Sequence, residues 1–109
     1  MSEYSRSASC MAGLTLVTVM AAVSAGDIDE QRAQELQHLL VQECGSGHGL
    51  QLTGGLGPPL TPEALEDRGD TGLKAVILHG VPGTAMPPWK GLLTEDDAEW
   101  LVDFLREGL

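Results

Sequence analysis

Cys44-Gly45-Ser46-Gly47-His48-Gly49 is the stretch on which the fold turns. It follows Asp29 to Glu43, a run of good helix formers that places Ala33, Leu36 and Leu40 on one stripe, the spacing of an amphipathic helix. Asp27 or Asp29 is the expected cap. Three glycines then permit a tight turn and are expected to break the helix, so Cys44 and His48 stand together at its end.

Upstream of that helix the chain changes character. A polar start with Arg6 leads into an apolar stretch from Met11 to Val23, and Val23-Ser24-Ala25 offers the small residues at which a signal peptidase cuts. Residues 1–25 therefore read as a cleaved signal peptide and 26–109 as one exported domain. A retained membrane anchor is disfavoured, because a span needs about 20 apolar residues and this stretch is shorter and holds Thr15, Thr18 and Ser24. Cleavage removes Cys10, Met1, Met11 and Met20, which leaves Cys44 as the one cysteine and Met86 as the one methionine. A lone cysteine in an oxidising compartment cannot close an internal disulfide; it is a free thiol, an intermolecular bridge or a point of covalent attachment.

Downstream, residues 50–60 (Leu-Gln-Leu-Thr-Gly-Gly-Leu-Gly-Pro-Pro-Leu) hold too much Gly and Pro for regular structure and read as a loop. Thr61-Pro62-Glu63 is a helix start, with a cap, a proline at the first position and an acid at the positive end of the dipole, so Pro62 to about Asp67 reads as a short helix. A second short helix is expected after Asp70 or Thr71, with Leu73, Val76 and Ile77 as its apolar face and Gly80 as its stop; a β-strand over Ala75 to Leu78 is the competing reading. Val81 to Lys90 carries three prolines and is a second loop. Thr94-Glu95-Asp96-Asp97 resembles a capping box and opens a last helix with Ala98, Leu101, Val102 and Leu105 on its face and Trp100 and Phe104 one turn apart. The pattern is all-α with two long loops and no internal repeat, heptad or phosphate-binding glycine loop.

Charge narrows the function. The segment after residue 25 keeps fifteen acids and five bases. Nucleic acid is excluded as a partner, since binding it takes a basic surface that neutralises phosphates. An acidic surface suits association with a basic protein face, or simply solubility. No Ser-His-Asp set, paired carboxylates or zinc spacing is present, so catalysis by side chains is not expected. His38 sits on the first helix among polar neighbours and reads as solvent-facing.

The two loops together suggest a cofactor. A haem attached through Cys-x-x-Cys-His relies on a tight turn at a helix end to aim two sulfurs at the vinyl groups while the adjacent imidazole reaches the iron. Here Cys44 and His48 are in register, and Gly47 stands where the second cysteine belongs. The methionine expected on the far side of such a haem is supplied by Met86, in Gly83-Thr84-Ala85-Met86-Pro87-Pro88, a loop stiffened by its prolines. A thioether opposite a neutral imidazole raises the reduction potential of the iron and suits electron transfer.

With these motifs the chain resembles the class I c-type cytochromes, most of all the small NirC-type cytochromes associated with denitrifying nitrite reductase. The likeness runs from about Gln34 to Leu105 and is carried by Cys44 to Gly49, Thr53 to Pro62, Gly83 to Trp89 and Trp100 to Leu105. It implies a small class I cytochrome c fold, N- and C-terminal helices packed together around one haem c. Carried over residue by residue, it makes Cys44 the thioether, His48 the proximal and Met86 the distal ligand of the iron. Pro58 or Pro59 would provide the carbonyl that orients His48, and Trp89 would cover a haem edge or close the core. Leu101 with Phe104 or Leu105 would pack on Leu36 or Leu40. Gly47 departs from the pattern and implies a single thioether through Cys44. Apart from the resemblance, His79, near a helix C-terminus, could replace Met86 as an iron ligand in a rearranged or domain-swapped form. The function implied is a periplasmic one-electron carrier, no enzyme itself, whose redox partner is nitrite reductase. Two alternatives stay open: a maturation or binding protein that helps assemble the reductase's specialised haem, and a haem-free variant in which Gly47 disables attachment.

Overall fold

The computed structural model describes residues 13–18 and 28–109. The proposed signal cleavage point after Ala25, Cys10 and most of the apolar N-terminal stretch lie outside the described residues. Among the described residues all regular structure is helical. The strand considered for Ala75 to Leu78 is part of a helix.

Helix α1 spans Glu30–Leu39, and its cap is Asp29, whose carboxylate accepts the Arg32 N–H at 2.7 Å. The chain does not break at the first glycine, as the sequence led us to expect. Leu40–Cys44 form a π turn closed by the Gly45 N–H on the Leu40 carbonyl, and α2 (Gly45–His48) continues the same rod. Gly45 adopts an ordinary helical conformation (φ −60°, ψ −31°) and is buried. Glycine in a helix costs about 1 kcal/mol relative to alanine but meets no steric barrier, and Leu36 and Leu40, both fully buried, anchor the preceding turns. The helix stops at Gly49, which turns to φ +94°. A π turn adds a residue to one turn of the helix and so re-aims the positions that follow it; here it ends on Cys44 and re-aims Gly45 to His48.

Helix α3 is shorter than expected, Pro62–Leu65, and is capped by Thr61. Helix α4 spans Asp70–His79, but its cap is Gly69, not Asp70 or Thr71. The Asp70 carboxylate is taken instead by Arg106, whose Nε donates to Oδ1 at 2.7 Å, a long-range pairing that wins over local capping. Its buried side chain is Leu78, with Leu73 and Ile77 packed beside it. Helix α5, Glu95–Glu107, opens with a complete capping box: the Thr94 hydroxyl accepts the Asp97 N–H and the Asp97 carboxylate accepts the Thr94 N–H.

Helix α5 is the centre of the molecule and packs against α1, α3 and α4. Its Ala98, Leu101 and Leu105 join Leu36, Leu40, Leu65 and Leu78 from the other helices and Leu52 and Leu93 from the loops in one core. Trp100 and Phe104 stack with ring centroids 5.0 Å apart. Polar ties reinforce the crossing of the terminal helices. Asp97, only 3 % exposed, accepts from Arg32 Nε at 3.1 Å and Nη2 at 2.7 Å, while Arg32 also donates to the Leu92 carbonyl. The guanidinium beside Asp97 holds that carboxyl below the usual carboxylate range, with the Thr94 N–H adding to the effect against the opposing cost of burial.

Candidate haem site

The loop after α2 folds back on the helix end it leaves. Gly54 N–H donates to the His48 carbonyl at 2.9 Å, and Gly57 N–H donates to the Gly47 carbonyl at 2.7 Å. This return lays Pro58 beside the imidazole, where the His48 Nδ1 lies 2.7 Å from the Pro58 carbonyl. A carbonyl can only accept, so Nδ1 carries the proton and Nε2 keeps its lone pair. The carbonyl that meets His48 is that of Pro58 and not that of Pro59. Such a bond fixes both ring orientation and tautomer in a histidine that binds a metal.

Gly57 is what lets the loop come so close. A Cβ built there would lie 2.7 Å from His48 Cε1 and 2.8 Å from Nδ1, inside any contact a side chain tolerates. Gly47 is the opposite case: a Cβ there meets nothing within 4 Å. Cys44, position 47 and His48 are related as i, i+3 and i+4 and share one helix face. The space next to His48 in which a second cysteine would stand is open.

Cys44 is partly buried against the core, and desolvation, with the nearby Glu43 carboxylate, pushes its thiol up to about 11. It is therefore protonated at neutral pH, and a protonated thiol is a poor nucleophile. A role as a free reactive thiol is ill served by these surroundings.

The methionine stands on the second loop, which is sewn to the end of α4. Trp89 N–H donates to the Ile77 carbonyl at 3.0 Å and Lys90 N–H to the Leu78 carbonyl at 3.1 Å, satisfying the last carbonyls of the helix. Trp89 is half-buried and packs on the core. Gly80 (φ +67°) takes the chain past Met86: a Cβ on it would lie 2.6 Å from the Met86 carbonyl. Met86 itself is half-buried, and its N–H points at the Thr84 hydroxyl at 3.3 Å. His48 and Met86 are thus held by separate loops, each with its own hydrogen bonds. His79 is exposed as the last residue of α4, and His38 is exposed on α1.

Among the described residues, no three His, Cys, Asp or Glu side chains gather as a metal cluster. The donors on offer are one oriented imidazole and one thioether, a set that fits a low-spin haem iron and no hard cation.

The family model for the cytochrome C oxidase, cbb3-type, subunit III matches residues 31–105. The chain belongs to the c-type cytochromes. This cytochrome is 53 % identical over 110 residues to cytochrome c55X of Pseudomonas aeruginosa, covering 97 % of this chain and 92 % of that one. Among solved structures it is similar to the c-type cytochrome NirC, with 60 % identity and a TM-score of 0.72 over 73 % of this chain and 94 % of the other. It is also 39 % identical over 66 residues to dihydro-heme d1 dehydrogenase of Pseudomonas aeruginosa, covering 61 % of this chain but 13 % of that protein. The cofactor of the family is covalently bound haem c, and the residues of this site fit it: His48 presents Nε2, Met86 a soft sulfur and Cys44 a thiol on the His48 face.

The sequence offered Cys44, His48, Met86 and the pair Pro58-Pro59 as candidates, and of these the structure joins His48 to Pro58; it gave no sign of the close approaches of Gly57 and Gly80 or of the Thr84 hydroxyl. Glycine and threonine are frequent in loops, and nothing in their local pattern says which of them touch a functional side chain.

Proposed function

We propose that this cytochrome is a periplasmic one-electron carrier in the nitrite reductase system, with His48 and Met86 as iron ligands and a single thioether through Cys44. The observation that carries the reading is the 2.7 Å hydrogen bond from His48 Nδ1 to the Pro58 carbonyl, which leaves Nε2 as the ligating atom. Haem, when bound, supplies an iron that exchanges one electron between its ferrous and ferric states. The chain does the rest. The Pro58 carbonyl holds the proton on His48 Nδ1 and aims the ring; Met86 would supply a soft sulfur, a ligand that favours the ferrous state; Trp89 packs on the core beside it in sequence. Exposed acids, among them Glu30, Glu35, Glu43, Glu63 and Glu66, surround the described domain and suit docking to a basic rim, with encounter rates that fall as salt rises.

Residues 1–25, with their apolar stretch and small residues before position 26, support export. Among the described residues no helix is long and apolar enough to cross a membrane. The test is spectroscopic and kinetic: protein expressed with a cytochrome maturation system should keep its haem through acid-acetone extraction and pass electrons to purified nitrite reductase at a salt-dependent rate. Haem lost on extraction would remove the thioether, and a stable haem with no electron transfer would remove the carrier role.

The likeness to dihydro-heme d1 dehydrogenase supports a second reading, in which the cytochrome serves assembly of the reductase's specialised haem. Faster electron exchange with that dehydrogenase than with the reductase would favour it.

A further inference from the structure

The segment from Val81 to Met86 closes on itself as a small hydrogen-bonded ring. Val81 N–H donates to the Met86 carbonyl at 3.1 Å, and Thr84 N–H donates to the Val81 carbonyl at 3.2 Å. Across the middle lies one hydroxyl: Thr84 Oγ1 donates to the Val81 carbonyl at 2.7 Å and accepts the Met86 N–H at 3.3 Å. Pro82 has no N–H to contribute, and Gly83 and Ala85 have no polar side chain. Val81 to Ala85 are all exposed, so Thr84 fills no core space, and its role in the ring comes from its hydroxyl.

A methionine side chain has three rotatable bonds and does not hold its sulfur in place by itself. Ordering the backbone beneath it is therefore what pre-arranges the ligand. We propose that Thr84 is the positioning residue of the methionine ligand: its hydroxyl ties Met86 to Val81 and sets the fraction of molecules in which the thioether is on the iron. The proposal rests on Met86 being that ligand. Removing the hydroxyl takes away one short and one long hydrogen bond at an exposed site, which corresponds to a roughly three- to tenfold shift of the on/off equilibrium.

Exogenous imidazole reads this shift in the full-length, haem-loaded ferric protein, because its apparent affinity scales with the population whose sixth position is open. Thr84→Val should bind imidazole roughly three- to tenfold more tightly than the wild type and have a lower midpoint potential, since methionine ligation is what raises it. Thr84→Ser, which keeps the hydroxyl, should stay within about twofold of the wild type; Thr84→Ala repeats the deletion if the valine variant loads poorly. Met86→Ala separates the two levels of the reasoning. If it binds imidazole no more tightly than the wild type, methionine is not the ligand and the underlying reading fails. If it binds far more tightly while Thr84→Val and Thr84→Ala stay at the wild-type value, or if Thr84→Ser departs as far as they do, the positioning role is overturned.

Discussion

Gly57→Ala and Gly47→Ala make the same chemical change ten residues apart and should give opposite results. At Gly57 the new Cβ would stand 2.7 Å from His48 Cε1 and 2.8 Å from Nδ1. Ordinary contact begins near 3.4 Å, so ring and loop must part by several tenths of an ångström. The imidazole is held on that side by a 2.7 Å bond to the Pro58 carbonyl, and Pro58 is the residue next to Gly57, so separating the two stretches or bends that bond. Losing the group that orients a ligating histidine weakens metal binding about 10- to 100-fold, which is about 1.4 to 2.7 kcal/mol. Protons compete with iron for Nε2, so a ligand weakened that much should leave the iron at a pH about one to two units higher during acid titration of the ferric protein. At Gly47 the added methyl meets open space in a helical turn, and the midpoint should not move. The assay is the absorbance of the low-spin haem against pH for the three proteins. An unchanged midpoint in Gly57→Ala, or an equal rise in Gly47→Ala, would refute the argument that the Pro58 carbonyl controls the histidine.

Gly47→Cys, placed in the same open space on the His48 face, should form a second thioether and move the pyridine haemochrome band to that of a haem with both vinyls saturated; an unmoved band would show that position 47 does not face a vinyl. Asp97→Ala removes the carboxylate half of the α5 capping box, which accepts the Thr94 N–H, and leaves Arg32 without its buried partner, which together should cost about 2 to 3 kcal/mol and lower the melting temperature by roughly 10 to 20 °C. A cycle with Arg32→Ala should assign about half of that to the pair, and strict additivity would remove the pair from the account. Because Asp97 titrates below its unfolded value, its contribution is present in full above the ordinary carboxylate range and is lost as pH falls through the depressed value, so the difference between wild type and Asp97→Ala should shrink on acidification. Cys44 gives the reverse dependence. Burial raises its folded thiol from an ordinary 9.0 to about 11, so haem-free protein should lose about 2 kcal/mol as pH rises from roughly 9 to 11. Cys44→Ala and the haem-attached protein, neither of which has a thiol to ionise, should lack that component; an equal alkaline loss in all three would show that burial of Cys44 does not control it.

The amino-acid sequence by itself determined the helical periodicities and the chemistry of the site. Leu36 and Leu40 on one stripe, Ala98, Leu101 and Leu105 on another, and the Thr94–Asp97 box are local patterns whose physics acts within a turn or two of helix, and the structure returns each of them. Cys44, His48 and Met86 stood out as candidates because few residue types can anchor a haem or ligate its iron. Whatever depended on distant segments meeting was left to tertiary structure. The helix runs through Gly45 because buried leucines hold it, although glycine alone would end it; Asp70 leaves its own helix cap for Arg106, and Asp97 closes on Arg32 across the molecule. The choice of the Pro58 carbonyl over that of Pro59, the bareness that Gly57 must keep beside His48 and the open place beside Gly47 follow from where the return loop crosses the helix end. That crossing is set by backbone hydrogen bonds between segments, and those bonds have no signature in residue type.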